Sequence, residues 1–139
     1  MLDHVNGTAE MCQIEELQDF TLNDRLKSFA GTVTYRNQFH VDNVSAQSWL
    51  NLGRLHCVSE LEVNGVPLGQ RWYGDHLYEI STAIHPGTNY LSIKLVTTLG
   101  NYMKTLKRNK AAQAWTAETP FAPMGLIAPI RLLYLKQQA

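Results

Sequence analysis

The 139-residue sequence has few of the features that identify a functional class directly. Its two cysteines, Cys12 and Cys57, are too few to form a disulfide scaffold in a chain of this length. A single bridge between them stays open, although Cys57 lies in an alternating apolar segment, which favours a buried thiol. Twelve basic and twelve acidic side chains cancel, so no net charge attracts nucleic acid or an anionic membrane surface.

Targeting segments and site motifs are lacking as well. No apolar run approaches a membrane span, and the N-terminus has no basic segment followed by an apolar run, as a signal peptide would. The five histidines show no metal-binding spacing, and there is no Cys-x-x-Cys, Gly-x-Ser-x-Gly or phosphate-binding glycine loop. We therefore expect no metal site and no cofactor, and the compartment stays undetermined.

Short alternating segments with turn signals between them make up most of the chain. They predict an all-β fold, an antiparallel two-sheet β-sandwich of the jelly-roll type, over residues 29–139. Residues 1–28 are a polar lead-in with an edge strand or a short helix. The side chains predicted to face inward are Val33, Tyr35, Phe39, Leu61, Val63, Leu91, Ile93 and Leu95.

Two connections stand out. Asn64-Gly65 in "LEVNGVPLGQRWYG" predicts a tight hairpin, because both central residues of a type I′ turn need positive φ. The segment from Thr98 to Met124 is much longer than an ordinary loop and contains four basic residues and Trp115. Helix-forming residues at 102–115 predict a turn or two of helix there. Contact of this basic run with nucleic acid is one interpretation, and a solvated face is the favoured one.

Glu60 and Glu62 form a pair of carboxylates on one strand. Two residues apart, they point to the same face about 7 Å from each other, a separation of the order that glycosidases use. One strand alone does not form a cleft, so we favour an ordinary solvated face and predict no catalytic residue.

The best candidate for a binding site follows the hairpin. Sugar recognition needs flat aromatic faces for the C–H surface of a pyranose and planar polar groups for its hydroxyls. We therefore predict a carbohydrate-binding site that also includes residues of the long segment. Its members are Arg71, Trp72, Tyr73, Asp75, His76, Asn101 and Tyr102. The alternative is that Trp72 closes one end of the core, as a mostly buried tryptophan would.

The order of several short motifs resembles a known family. The motif residues are Gly31, Tyr35, Phe39, Leu50, Leu52, Gly53, Val63, Asn64, Gly65, Gly69, Trp72, Gly87, Asn89, Leu91, Gly125, Leu126, Pro129 and Leu132. Over residues 29–135 this series is similar to the galactose-binding-like jelly-roll domain, called the sugar-binding domain, of glycoside hydrolase family 2 and α-L-rhamnosidase-type enzymes. The runs "RWYGDH" and "KTLKRNK" depart from the family pattern.

The resemblance implies a non-catalytic accessory domain excised from a larger glycoside hydrolase, with a periplasmic or secreted location as one option. Its implied partner is the catalytic domain of the same polypeptide, where the catalytic carboxylates lie in a separate barrel, and carbohydrate is a further implied contact. Two alternatives stay open: a free-standing lectin-like carbohydrate-binding module, and a small glycosidase that uses Glu60 and Glu62. No nucleic-acid or membrane partner is expected.

Overall fold

The computed structural model describes residues 1–127 and 129–135, and this part of the chain forms nine strands and three short helices. The last four residues of the predicted 29–139 sandwich lie outside the described residues. The strands are β1 (Leu2–His4), β2 (Ala9–Glu10), β3 (Gly31–Val41), β4 (Ser48–Arg54), β5 (Val58–Val63), β6 (Val66–Arg71), β7 (Asp75–Glu79), β8 (Gly87–Val96) and β9 (Arg131–Tyr134). A 3-10 helix (Phe20–Leu22) precedes β3, and the helices α1 (Gly100–Met103) and α2 (Lys110–Thr116) follow β8.

Two antiparallel sheets form a sandwich, which confirms the predicted all-β class. The larger sheet has the order β2-β1-β3-β8-β5-β6 and the smaller one β7-β4-β9. The longest ladder joins β3 to β8, from the pair Thr32 and Val96 to the pair Val41 and Gly87. Because side chains alternate between the two faces of a strand, one face of this ladder turns mostly apolar residues, Val33, Tyr35, Ile93 and Leu95 among them, toward the smaller sheet.

The core lies between the two sheets and contains the residues that the alternation predicts. Five of the eight predicted side chains are buried, namely Val33, Leu61, Val63, Ile93 and Leu95. The other three, Tyr35, Phe39 and Leu91, are partly buried and pack against the same cluster. Cys12 and Cys57 are both free thiols. Burial raises the pKa of Cys57 to about 11, in agreement with the predicted buried thiol.

The lead-in, for which an edge strand or a short helix was predicted, contains the strands β1 and β2 and the 3-10 helix Phe20–Leu22. β1 pairs with β3, so the edge of the larger sheet comes from residues before the predicted sandwich boundary. Phe20 is buried in the core beside Gly125, where φ is +90° and an added Cβ would lie 2.9 Å from the phenylalanine ring. The lead-in is therefore packed closely against the segment that contains Gly125.

The predicted hairpin is present between β5 and β6. Asn64 has φ of 51° and Gly65 φ of 78°, the positive values that a type I′ turn requires, and Val63 pairs with Val66 across the turn. The Asn64 amide also donates hydrogen bonds to the Ala83 carbonyl and to the Asn89 side chain, each at 2.8 Å. These bonds fix the hairpin against the connection between β7 and β8.

The core assignment predicts the effect of truncating Ile93, whose side chain is 1% exposed. Ile93→Ala should lower the free energy of unfolding by about 2–5 kcal/mol, because it removes buried methyl groups and leaves a cavity. Chemical denaturation measures this change. The control is Val96→Ala on the same strand, where the side chain is 38% exposed and the expected loss is about 0.5 kcal/mol. Equal losses in the two variants would contradict the assignment.

Candidate functional site

The turn between β6 and β7 carries the most exposed pair of neighbouring aromatic side chains in the predicted site. Trp72 is 75% and Tyr73 is 83% exposed, and their ring centroids lie 6.4 Å apart with a tilt of 58°. Gly74 follows with φ of 66°, which lets the chain turn from the larger sheet to the smaller one. The alternative that Trp72 closes the core is therefore wrong, since this side chain projects into solvent.

Arg71, the last residue of β6, holds this turn in place. Its Nε donates to the Leu77 carbonyl oxygen at 3.0 Å and its Nη1 donates to the Gln70 carbonyl oxygen at 2.8 Å. Its guanidinium carbon lies 4.5 Å from the centre of the Tyr78 ring, a cation–π contact. These contacts tie β6 to β7, so Arg71 positions the turn that carries Trp72 and Tyr73, while part of its own side chain stays accessible.

Asp75 begins β7 directly after the turn and is exposed. Its carboxylate lies 3.9 Å from Nε of Arg54 on the neighbouring strand β4. At this distance between exposed groups the ion pair is weak, so the carboxylate oxygens remain able to accept hydrogen bonds from sugar hydroxyls. Arg54 was not among the predicted site residues, because only the pairing of β4 with β7 brings it to Asp75.

His76 points into the core and is fully buried. Its Nδ1 lies 2.6 Å from Oγ of Ser59, which in turn lies 2.8 Å from the Tyr78 hydroxyl. The Tyr78 hydroxyl donates to the Ser59 carbonyl oxygen at 2.8 Å. Because the single tyrosine proton is used in that bond, the serine hydroxyl must donate to the Tyr78 oxygen. The remaining contact then needs the proton on Nδ1 of His76, which donates to Oγ of Ser59. We assign this neutral tautomer to His76.

The same arrangement leaves Nε2 of His76 buried without a hydrogen-bond partner among the described residues. Burial lowers the pKa of His76, and the nearby Arg71 lowers it further, whereas Asp75 acts in the opposite direction. Burial therefore favours the neutral form of the imidazole in the folded chain. The imidazole supports the turn from within and does not reach the surface that a ligand would contact.

Asn101 and Tyr102 lie in α1 and brace the long segment. The buried Asn101 amide donates to the Ala122 carbonyl oxygen and accepts from the Ala122 N–H, both at 2.8 Å. Tyr102 packs edge-on against His4 of β1, with ring centroids 5.0 Å apart. Four strand spacings separate β1 from β6 in the larger sheet, about 19 Å at the usual distance between strands.

The strand registers place both groups at the same end of the larger sheet but do not bring them together. Arg71 pairs with Ser59 and Ser59 pairs with Leu95, so the turn after β6 and the end of β8 lie at the same end of the larger sheet. Of the predicted residues, Trp72, Tyr73 and Asp75 form one exposed group, which we call the aromatic turn. Binding of carbohydrate to these residues stays a prediction.

The two glutamates lie on the outer face of the larger sheet. Glu60 accepts a hydrogen bond from Gln70 at 2.7 Å and lies 3.3 Å from Nζ of Lys94. These contacts favour the interpretation of an ordinary charged sheet face. In the described part of the chain no group of three or more histidine, cysteine or acidic side chains is arranged to hold a metal ion. None of the helices described is long and apolar enough to cross a membrane.

Comparison with known proteins adds the context of this fold. No family model matches the chain. A rhamnosidase from Novosphingobium sp. PP1Y superimposes with a TM-score of 0.76 and 28% identity, over 87% of this chain and 13% of that one. The protein is similar to one domain of a large glycoside hydrolase.

Two further proteins to which the chain is similar are both named as beta-glucuronidases. A "Putative beta-glucuronidase" from Formosa agariphila is 26% identical over 100 residues, which are 68% of this chain and 9% of that protein. The beta-glucuronidase of Bifidobacterium dentium overlaps 54% of this chain with 26% identity and a TM-score of 0.48. The chain thus spans only about a tenth of the curated relative that it matches.

The buried imidazole predicts a pH dependence of stability. Because the pKa of His76 is lower in the folded state, the unfolded chain binds a proton first as the pH falls below about 6.5, the usual value for histidine. The contribution of His76 to stability is complete above that pH and is lost as the pH falls toward the folded pKa, by at most about 1.4 kcal/mol per pH unit.

Denaturation of the native chain between pH 8 and pH 5, compared with His76→Gln, measures this contribution. The variant should be less stable at pH 8 and should show a smaller loss on acidification. His56→Gln, which changes an exposed histidine, is the control and should retain the native slope. An unchanged slope in His76→Gln would show that this group does not titrate between the two states.

Proposed function

We propose that this chain is a non-catalytic accessory domain of the galactose-binding-like type from a larger glycoside hydrolase, in which it packs against the catalytic domain. The observation that carries the proposal is the match to the Novosphingobium rhamnosidase, at a TM-score of 0.76 over 87% of this chain but only 13% of that enzyme. A sandwich that accounts for so small a share of an enzyme leaves most of that chain for its other parts.

The positions of the carboxylates support a non-catalytic role. Glycoside hydrolysis needs two carboxyl groups on opposite sides of the scissile bond, one of them with a raised pKa or placed as a nucleophile. Glu60 and Glu62 project from one strand of an open sheet, and Glu60 is engaged by Lys94 and Gln70. A sugar laid on this face would have both groups on the same side.

Contact with carbohydrate is the second part of the proposal, and the aromatic turn is the surface that suits it. Trp72 and Tyr73 offer two ring faces at an angle of 58°, which is a shallow corner for one pyranose ring. Asp75 beside them supplies acceptors for hydroxyl groups. Each such hydrogen bond competes with water and contributes about 0.5–1.5 kcal/mol net. The expected dissociation constant is therefore about millimolar.

The proposal predicts that the chain has no hydrolytic activity of its own. Purified protein incubated with aryl α-L-rhamnosides and aryl β-D-glucuronides should release no phenol above the buffer rate, because no pair of carboxylates encloses the glycosidic bond. Glu60→Gln should behave identically. Turnover that is present in the native chain and disappears in this variant would establish the alternative of a small glycosidase.

The carbohydrate part predicts chemical shift changes at the aromatic turn. Titration with neutral mono- and oligosaccharides, followed by nuclear magnetic resonance, should shift the Trp72 indole and the backbone of residues 72–75. Trp72→Ala should abolish these shifts, whereas Tyr90→Ala, a matched exposed aromatic at 63% exposure on the outer sheet face, should leave them unchanged.

Absence of any shift at high millimolar sugar would leave packing as the sole role. Sequencing the coding region on both sides decides between an accessory domain and a free-standing module. A frame that also encodes a catalytic domain is expected, and a frame limited to this sandwich would favour the lectin-like alternative.

A further inference from the structure

The segment between β8 and β9 forms a fixed platform on the sandwich. Asn101 and Ala122 join its two ends by a reciprocal pair of hydrogen bonds. The Asn109 side chain accepts from the Ala112 N–H at 3.0 Å and begins α2. The Lys104 ammonium donates to the carbonyl oxygens of Thr116 and Thr119, where α2 ends. We call residues 98–124 the insert.

The charge of the insert has one sign over most of its length. Residues 98–117 contain four cations and no acid. Lys104 is used internally, as described above, but Lys107, Arg108 and Lys110 are exposed and form no ion pair with the described residues. Three cations within four positions repel one another, and a bound anion would relieve this repulsion.

An apolar strip lies directly beside these cations. Trp115 is 79% exposed, and Ala111 and Ala114 are exposed on the same helix, while Ala112 and Thr116 face the protein. The indole therefore contributes almost nothing to the core. Five positions separate Lys110 from Trp115, about 7.5 Å along the helix axis. At 3.6 residues per turn the two side chains also differ by about 140° around the helix, so a ligand that contacts both must curve around α2.

A concave surface runs along the other side of α2. It is lined by Lys104, Thr105, Lys107, Gln113, Thr116, Ala117 and Phe121. Of the three exposed cations, Lys107 lines this concavity, whereas Lys110 begins the helix that carries the apolar strip. The first acid that follows in the sequence is Glu118, three positions beyond the tryptophan.

We propose that the insert binds a carbohydrate chain that carries carboxylate groups, with Trp115 packed against the C–H face of one sugar ring and Lys107, Arg108 and Lys110 paired with carboxylates. This inference rests on the proposed function, because the glycoside hydrolase relationship makes a glycan the relevant anion. The guanidinium of Arg108 matches a carboxylate in geometry, since it can donate two parallel hydrogen bonds.

The distribution of side chains favours a glycan over nucleic acid. Single-stranded nucleic acids are bound by positive grooves with a series of aromatic rings, on which successive bases stack. The exposed face of α2 offers one ring and two alanines, and the whole chain has no net charge. Charge supplies attraction here, and one aromatic ring supplies the contact with a single sugar.

Titration with a hexamer of galacturonic acid tests the proposal. At low ionic strength it should shift the Trp115 indole and residues 105–118, with a dissociation constant of about 1 mM or below, and added salt should weaken binding because the cations are exposed. The neutral hexamer of glucose should bind the insert at least about tenfold more weakly, since several exposed ion pairs are then absent.

Matched variants distinguish binding at the insert from attraction by positive charge anywhere on the protein. Lys107→Ser combined with Arg108→Ser should weaken binding of the galacturonic acid hexamer about fivefold, and Trp115→Ala should weaken it by a similar factor. Arg36→Ser combined with Arg131→Ser removes the same charge elsewhere and should have little effect. These side chains are all exposed, so the variants should fold, which thermal unfolding verifies.

Equal weakening in the two double variants would overturn the inference, and so would equal binding of the neutral hexamer. Equally tight binding of polyglutamate or single-stranded DNA, with the same dependence on Trp115, would overturn it too. The proposed function and the inference about the insert are tested by different results. If the acidic hexamer shifts only the aromatic turn, the inference about the insert fails and the accessory role stands. Hydrolysis that depends on Glu60 would overturn the accessory role, whatever binds to the insert.

Discussion

The ladder between β3 and β8 is the interaction on which the rest of the structure depends. It pairs ten residues of each strand in one unbroken register, and its inner face brings Val33, Ile93 and Leu95 into the core. A shift by one residue would turn this row toward solvent. β1 pairs with β3 on one side of the ladder and β5 pairs with β8 on the other. The register of the ladder therefore determines the positions of the lead-in, the hairpin and the insert on the sheet.

Polar groups inside the sandwich connect its two sheets. Ser59 of the larger sheet meets His76 and Tyr78 of the smaller one, and Arg71 crosses the gap to Leu77. Buried polar groups are costly unless they are paired, so these contacts favour one relative position of the sheets over others. The relative position of the sheets also determines the shape of the aromatic turn, because this turn connects β6 of the larger sheet to β7 of the smaller one.

Both candidate binding surfaces lie mainly at connections between strands, and of their residues only Asp75, the first residue of β7, belongs to a strand. The aromatic turn crosses from one sheet to the other, and the insert follows β8 at the same end of the larger sheet. Loops on a rigid scaffold commonly carry binding residues, because they can vary without loss of the core. Two surfaces of different chemistry, one aromatic with a single carboxylate and one cationic, would let one sandwich contact different parts of a glycan.

The sequence by itself determined the fold class, the inward rows and the hairpin, because these depend on alternation and on the φ preferences of Asn64 and Gly65, which are local properties. It also held a signal for His76, which shares its parity with the buried Tyr78 and Ile80. The burial of Asn101, the exposure of Trp72 and the distance between the aromatic turn and Tyr102 were decided only by the tertiary structure. They depend on strand order and on how the insert folds back onto β1, and both arise from contacts between residues far apart in the chain.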